Sequence, residues 1–347
     1  MNPFSVPASI FDLARHATLL LAFAALLVVI PAGVRAQQRD DVITTDTSLV
    51  QLNVGVVDKQ GNSVTSLSRN DFAIYEDGVR RQIVSFEPTE APFSLVLLLD
   101  MSGSTVNFRQ QIRGAALRFL DALSPEDRVA VVQFSGKGVK SLFRFSTDRN
   151  KAAYAINTLA NGAGNTPLYE ALQFSVKELA REGKRRKAVV VLTDGLDTEV
   201  RNGDRAIVTK AADDQVSTAI KAETNSQVVA VLSEADREGV TIFPLALPSG
   251  DPKRLPLPDP AITAMYQAAH TRLQLLAART GGRLHEIRSL DEMARLYAQV
   301  AADLRALYTI AYQPANPGMH DGKWREIRVE IARADLVAST KPGYYAR

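Results

Sequence analysis

The sequence predicts an α/β fold with a mostly parallel central sheet, set into a β-domain assembled from segments at both ends of the chain. Three observations carry this expectation. Phe93–Leu99 (FSLVLLL) and Lys187–Thr193 (KAVVVLT) are nearly unbroken apolar runs, as expected of strands buried on both faces. Between Phe93 and Leu307 such runs alternate with helical periods, the rhythm of strand–helix–strand units. On either side the pattern changes to period-two alternation without a helical repeat, which predicts antiparallel strands.

Composition sets the bounds. The 347 residues suit about two domains, and a hydrophobic fraction of 46% supports a sizeable core. Lys and Arg number 41 against 38 Asp and Glu, a near balance that gives no argument for nucleic acid as partner. The chain has no Cys, so disulfides, thiolate metal sites, a Cys nucleophile and a lipid-modified cysteine are excluded. At the N-terminus, Arg15 and His16 precede an apolar run from Ala17 to Ile30, and Val34-Arg35-Ala36 follows. This is the layout of an export signal cleaved before Gln37. As a helix the run would span about 21 Å, short of a bilayer core of about 30 Å. The expectation is an exported protein, periplasmic, cell-surface or extracellular, that meets a membrane only if the segment stays uncleaved.

After residues 1–36 (signal) and 37–47 (linker), residues 48–91 form an N-terminal β-region. Val50, Leu52, Val54 and Val56 share one face of its first strand. Asp71–Glu76 ends in the hairpin dipeptide Asp77-Gly78, and Gln82–Phe86 returns as a third strand. Residues 92–307 form the α/β domain. A helical pattern marked by Ile112, Leu117 and Leu120 follows the first buried strand, then strands over Asp127–Phe134 and Leu142–Phe145 and a helix over Arg149–Leu159. Thr166-Pro167 opens an amphipathic helix, and Lys187–Thr193 and Val240–Leu247 are buried strands. Ala261–Arg279 and Leu290–Leu307 are helical. Two stretches interrupt the rhythm after strand ends: Asp197–Gln227, polar and partly helical, and the proline-rich Pro248–Pro260. Residues 308–347 alternate again, with Tyr308, Ile310 and Tyr312 on one face and Ile327, Val329 and Ile331 on another. Three N-terminal strands make a poor core alone, so the C-terminal strands are expected to complete it. No Gly or Pro separates the last helix from the strand Tyr308–Tyr312, so movement of one would pull on the other.

In an open α/β sheet, ligands bind at the carboxyl ends of strands. Three pieces of this sequence fall there: Asp100-x-Ser102-x-Ser104, Thr166 and Asp194. Two carboxylates and three hydroxyls suit Mg²⁺, a hard cation that takes near-octahedral oxygen ligands and keeps some waters. Asp100, Ser102 and Ser104 supply three positions, Thr166 a fourth directly or through water, and Asp194 holds a coordinated water. With one carboxylate bound directly, the cation stays electron-poor enough to accept a carboxylate from outside. Mn²⁺ should substitute. The four His show no metal-ligand spacing. Lys184–Lys187 reads as a solvated basic run at a helix end, and Asp197 and Asp204 read as surface charges.

DMSGS, GNTPLYEAL and LTDGLD resemble the three parts of the metal-ion-dependent adhesion site of von Willebrand factor type A domains. That resemblance implies a Rossmann-like fold and divalent-cation-dependent binding of a protein ligand, with Asp100, Ser102, Ser104, Thr166 and Asp194 in the site. It also implies a last helix able to shift on ligand binding. The flanks, from about Ser48 to Tyr345, resemble an exported bacterial, Acidobacteria-type subgroup related to this family. The leading expectation is an interaction or adhesion module, not an enzyme, that grips a partner's Asp or Glu carboxylate through Mg²⁺. The alternatives are a metal-assisted hydrolase in the same pocket, for which no general base is evident, and a scaffold whose metal only stabilises loops.

Overall fold

The computed structural model describes residues 49–346 apart from 61, 90, 160, 161, 163, 184, 249–258, 288–291, 317, 319 and 320. The expected signal and linker, most of the proline-rich stretch and the first residues expected in the last helix lie outside the described residues.

The α/β unit is built on β5 (Phe93–Asp100), β6 (Arg128–Ser135), β7 (Gly138–Ser146), β8 (Arg186–Thr193), β9 (Val240–Ala246) and β10 (His285–Glu286). They form one six-stranded sheet in the order β10-β9-β8-β5-β6-β7. Every pairing is parallel except that of the edge strand β7 with β6. All residues of β5 and β8 are buried, as their apolar runs require. Alternate residues serve opposite faces. Leu95, Leu97 and Leu99 face α1 (Arg109–Asp121), α2 (Arg149–Asn157) and α7 (Met293–Arg305). Val96 and Leu98 face α3 (Leu168–Ala180), α5 (Ser226–Glu238) and α6 (Pro260–Thr280). Between β8 and α5 stand α4 (Thr198–Val208) and two short 3₁₀ turns.

The flanking segments form two four-stranded antiparallel sheets packed face to face. One has β13 (Leu336–Ser339), β1 (Val50–Asp58), β11 (Leu307–Tyr312) and β4 (Ile83–Glu87) in that order. The other has β14 (Gly343–Tyr345), β12 (Trp324–Ile331), β2 (Phe72–Glu76) and β3 (Val79–Arg81). Leu52, Val54, Ile74, Tyr308, Ile310 and Tyr312 are buried between them, so N- and C-terminal segments share one sandwich core. The register sets Leu52 opposite Ile310 and Val54 opposite Tyr308. Leu49, at the edge of this unit, is the first described residue.

Several details differ from expectation. The hairpin at Asp77-Gly78, both with positive φ, returns through β3, a short strand not expected from sequence, and the chain then changes sheets at Gln82, so the expected third strand, present as β4, lies in the other sheet. The long polar stretch is helical at its start, in α4, and α5 begins at its end, capped by Asn225 and closed by Gly239 in the left-handed region. The second half of the basic run is not solvated: Arg186 and Lys187 are buried in β8. Arg186 donates through Nη1 to the carbonyls of Leu304 (3.2 Å) and Leu307 (2.7 Å), and through Nη2 to those of Thr89 (2.9 Å) and Ala91. A buried guanidinium is stable because its fork meets four carbonyl acceptors at the junction of sandwich and α/β unit. Asp204 is also buried, paired through both carboxylate oxygens with Arg272 of α6 at 2.6 and 2.7 Å.

Candidate metal centre

The candidate site stands at the carboxyl ends of β5 and β8, beside the point where strand order reverses. Asp100 ends β5, and the chain turns at once: Ser102 N–H donates to Asp100 Oδ1 at 3.0 Å. The Thr105 hydroxyl closes the turn by donating to the carbonyls of Asp100 (2.9 Å) and Ser102 (3.1 Å). This turn sets Ser102 and Ser104 side by side, with hydroxyl oxygens 3.2 Å apart. On β8, the Thr193 hydroxyl donates to Asp100 Oδ2 at 2.7 Å and accepts from Gly195 N–H at 3.1 Å. Asp194 Oδ1 accepts from Leu196 N–H at 3.1 Å.

Thr166 reaches the site on a loop pressed against the first. A Cβ on Gly162 would lie 2.3 Å from the Met101 carbonyl oxygen, so only glycine permits that approach. Gly103 in turn lies against Gly164. From above, the first turn of α4 grips Thr166: Thr166 N–H donates to the Thr198 hydroxyl at 2.8 Å, and Thr198 N–H donates to the Thr166 carbonyl at 3.0 Å. Asp197, read from sequence as a surface charge, is the buried N-cap of α4; it accepts from the N–H groups of Glu199 and Val200 through Oδ1 and from Tyr169 through Oδ2. The three sequence pieces are therefore brought to one end of the sheet. Sequence reasoning missed Thr193 and Thr198, which orient Asp100 and Thr166. The available signal was position: Thr193 is the polar residue closing an apolar strand, and Thr198 follows a helix-capping Asp.

The electrostatics favour a cation. Asp100 is fully buried, and that burial together with the charge of nearby Asp194 pushes its pKa up to about 7, against the pull of hydrogen bonds from Ser102 and Thr193. Burial raises Asp194 as well, opposed by the Ser104 hydroxyl, the Leu196 N–H and the charge of Arg201. Asp194 Oδ2 is buried with no hydrogen-bond partner among the described residues. Two buried carboxylates that repel each other, one with an unpaired oxygen, beside two hydroxyls, fit a hard divalent cation: its charge offsets both desolvation and repulsion. Among the described residues no group of three or more His, Cys, Asp or Glu could hold a metal, so this donor set of two carboxylates and hydroxyls differs from a carboxylate cage.

No curated protein sequence matches the chain. Among solved structures, it is similar to a von Willebrand factor type A protein from Catenulispora acidiphila, with 15% identity over 81% of this chain and 74% of that one and a TM-score of 0.46. A conserved hypothetical protein, BatB, from Bacteroides thetaiotaomicron is 14% identical over 61% of this chain and 98% of its own, TM-score 0.43. The vWF domain of the type V pili tip protein Mfa5 from Porphyromonas gingivalis is 14% identical over 61% and 95%, TM-score 0.44. The stretch from β5 to just beyond Asp194, residues 95–196, matches the model of the family described as von Willebrand factor type A domain, and all five candidate ligands lie inside it.

Proposed function

We propose that the chain is a divalent-cation-dependent binding module that grips an Asp or Glu side chain of a protein partner. The observation that carries this is the buried pair Asp100 and Asp194, with Asp194 Oδ2 unpaired, beside the adjacent hydroxyls of Ser102 and Ser104. Asp100, Ser102, Ser104, Thr166 and Asp194 would hold Mg²⁺ or Mn²⁺. When bound, the ion supplies a Lewis-acidic position that an external carboxylate oxygen can fill. The protein's part is positioning. Thr193 and Ser102 N–H fix the Asp100 carboxylate, and Thr198 fixes the loop that carries Thr166. The near balance of charge supports a protein partner over nucleic acid. The apolar run after His16, and the likeness of the flanks to an exported bacterial, Acidobacteria-type subgroup, support a place outside the cytoplasm.

The test is isothermal titration of an Asp-containing peptide into the protein with Mg²⁺, with EDTA, and into Asp100→Asn. Binding only with Mg²⁺ and only with Asp100 present supports the reading. Equal binding in EDTA overturns it, and turnover of a phosphate or acyl ester by the Mg²⁺-loaded protein would favour a hydrolase instead.

A further inference from the structure

Helix α4 belongs to the polar stretch that interrupts the α/β rhythm, and its inner face does more than clamp Thr166. Asp197, Arg201, Asp204 and Val208 follow one another at steps of four, three and four residues, the spacing of a single helix face. Three of the four are anchored inward: Asp197 as the N-cap, Asp204 in its pair with Arg272, and Val208 in a buried apolar cluster. Arg201 stands between them, one turn beyond the Thr198 that grips Thr166.

Arg201 is half-buried, and its Nε is buried without a partner. Among the described residues its guanidinium makes no hydrogen bond and no ion pair. Helix α6 packs on the loop after Asp194: a Cβ on Gly195 would lie 2.9 Å from Leu273 Cδ1 and 3.6 Å from the Ala269 carbonyl oxygen. One turn before Ala269 on that helix is Tyr266, half-buried, whose hydroxyl also has no partner among the described residues. The three groups share one electrostatic neighbourhood. Burial raises the Tyr266 hydroxyl pKa, Asp194 adds to the rise and Arg201 opposes it, while Arg201 also lowers Asp194. A guanidinium carries five N–H donors in a fork matched to a carboxylate. An unused fork on α4 and an unused phenol hydroxyl on α6 are thus donors on the two helices that adjoin the loop after Asp194.

We propose that Arg201 and the Tyr266 hydroxyl form a subsite beside Asp194 for the partner's second carboxylate oxygen, the one not turned toward the cation. This rests on the binding function above and adds its selectivity. The subsite rewards an acidic side chain and rejects the corresponding amide, which carries no charge for Arg201. It also has a sign that a packing role lacks: a fixed positive charge repels a bare cation but attracts the carboxylate that follows it.

Manganese separates the two. Mn²⁺ affinity is read by electron paramagnetic resonance on the full chain, and acetate or acetamide binding to the Mn²⁺-loaded protein by water-proton relaxation. Wild type should bind Mn²⁺ and prefer acetate to acetamide. Arg201→Gln should bind Mn²⁺ as tightly or more tightly, and lose acetate affinity by about tenfold, the scale of one hydrogen bond to a charged group. Tyr266→Phe should lose about threefold, and Arg201→Lys should fall between wild type and Arg201→Gln. Acetate affinity of Arg201→Gln within twofold of wild type overturns the subsite, as does a parallel loss of Mn²⁺ and acetate. If wild type binds no Mn²⁺, the binding function itself fails and the subsite with it, an outcome distinct from a failure confined to acetate.

Discussion

Removing Asp204 should destabilise the protein far more than its place in a polar segment suggests. In the wild type its two oxygens meet Arg272 Nη1 and Nη2 at 2.6 and 2.7 Å, with the side chains only 5% and 3% exposed. Arg272 Nε is buried without another partner, so Asp204→Ala leaves the guanidinium without its hydrogen-bonded carboxylate, with only the more distant charge of Asp197 acting on it. Burial by itself lowers the Arg272 pKa; the hydrogen bonds and charge of Asp204 outweigh it and hold the group above its ordinary value. Breaking such a pair from one side costs about 3–5 kcal/mol. For a domain of this size that is a fall in Tm of roughly 6–20 °C. Replacing both partners, Asp204→Leu with Arg272→Met, removes the desolvation cost with the attraction and should return stability to within about 1 kcal/mol of wild type. Urea denaturation followed by far-UV circular dichroism measures both. Because the pair fixes α4 to α6, and α4 holds Thr166 through Thr198, Mn²⁺ affinity should fall in the single variant and recover in the double. A single-variant cost under about 1 kcal/mol, or a double variant no better than the single, would refute the reasoning.

Three further outcomes are expected. The raised Asp100 pKa means that the metal-free folded state binds a proton more tightly than the unfolded chain, so its stability should fall as pH rises from about 4 to about 7. Mg²⁺ should oppose that fall, giving a larger Tm increase at pH 8 than at pH 5, and Asp100→Asn should flatten the metal-free profile; differential scanning fluorimetry reads all three. Tyr308→Phe should cost about 1–3 kcal/mol in calorimetric unfolding, since its hydroxyl donates to the Val64 carbonyl and accepts from Leu67 N–H, both at 2.9 Å. Arg186→Met should cost more than about 2 kcal/mol and raise hydrogen exchange around 304–312, with Arg186→Lys a poor rescue because an ammonium lacks the fork. Unchanged exchange there would show that Arg186 does not hold the junction.

The parts legible in sequence were those governed by local pattern. Two apolar strands announced the parallel sheet, because a strand covered on both faces has nowhere to put a polar side chain. That the loops of Asp100, Ser102, Ser104, Thr166 and Asp194 would meet at one end of the sheet was legible because each follows or adjoins a strand end. What remained hidden depends on partners distant in sequence. Arg186 looks like one of four basic surface residues until four carbonyls from three other segments surround it. Asp204 looks solvated until Arg272, 68 positions away, lies against it. The pairing of β3 is likewise a tertiary choice: Val79–Arg81 shows no strand pattern of its own, and it becomes the edge of one sheet while β4, just after it, becomes the edge of the other.

Strand β8 carries Arg186 at one end and Thr193, followed by Asp194, at the other, so it joins the sandwich junction to the candidate site through a fully buried element. Coupling along it cannot be a sliding motion, because both neighbouring strands hold it in parallel register over its length. The remaining route is α7, which the sequence reading expected to pull on the following strand. Only Ala306 separates α7 from β11, and Arg186 binds the carbonyls of Leu304 and Leu307 on both sides of that residue. The helix is held elsewhere too: Arg305 donates to the Ala122 carbonyl. A displacement of α7 by one turn, about 5.4 Å, would drag β11 out of register with β1 and β4. A slip of a single residue would already turn Tyr308, Ile310 and Tyr312 from the core to the opposite face. Large travel of the last helix is therefore incompatible with an intact sandwich. Any motion that links the site to the flanking sheets must carry β11 and the helix together, with Arg186 as the hinge contact, and that is the coupling the Arg186→Met exchange pattern reads directly.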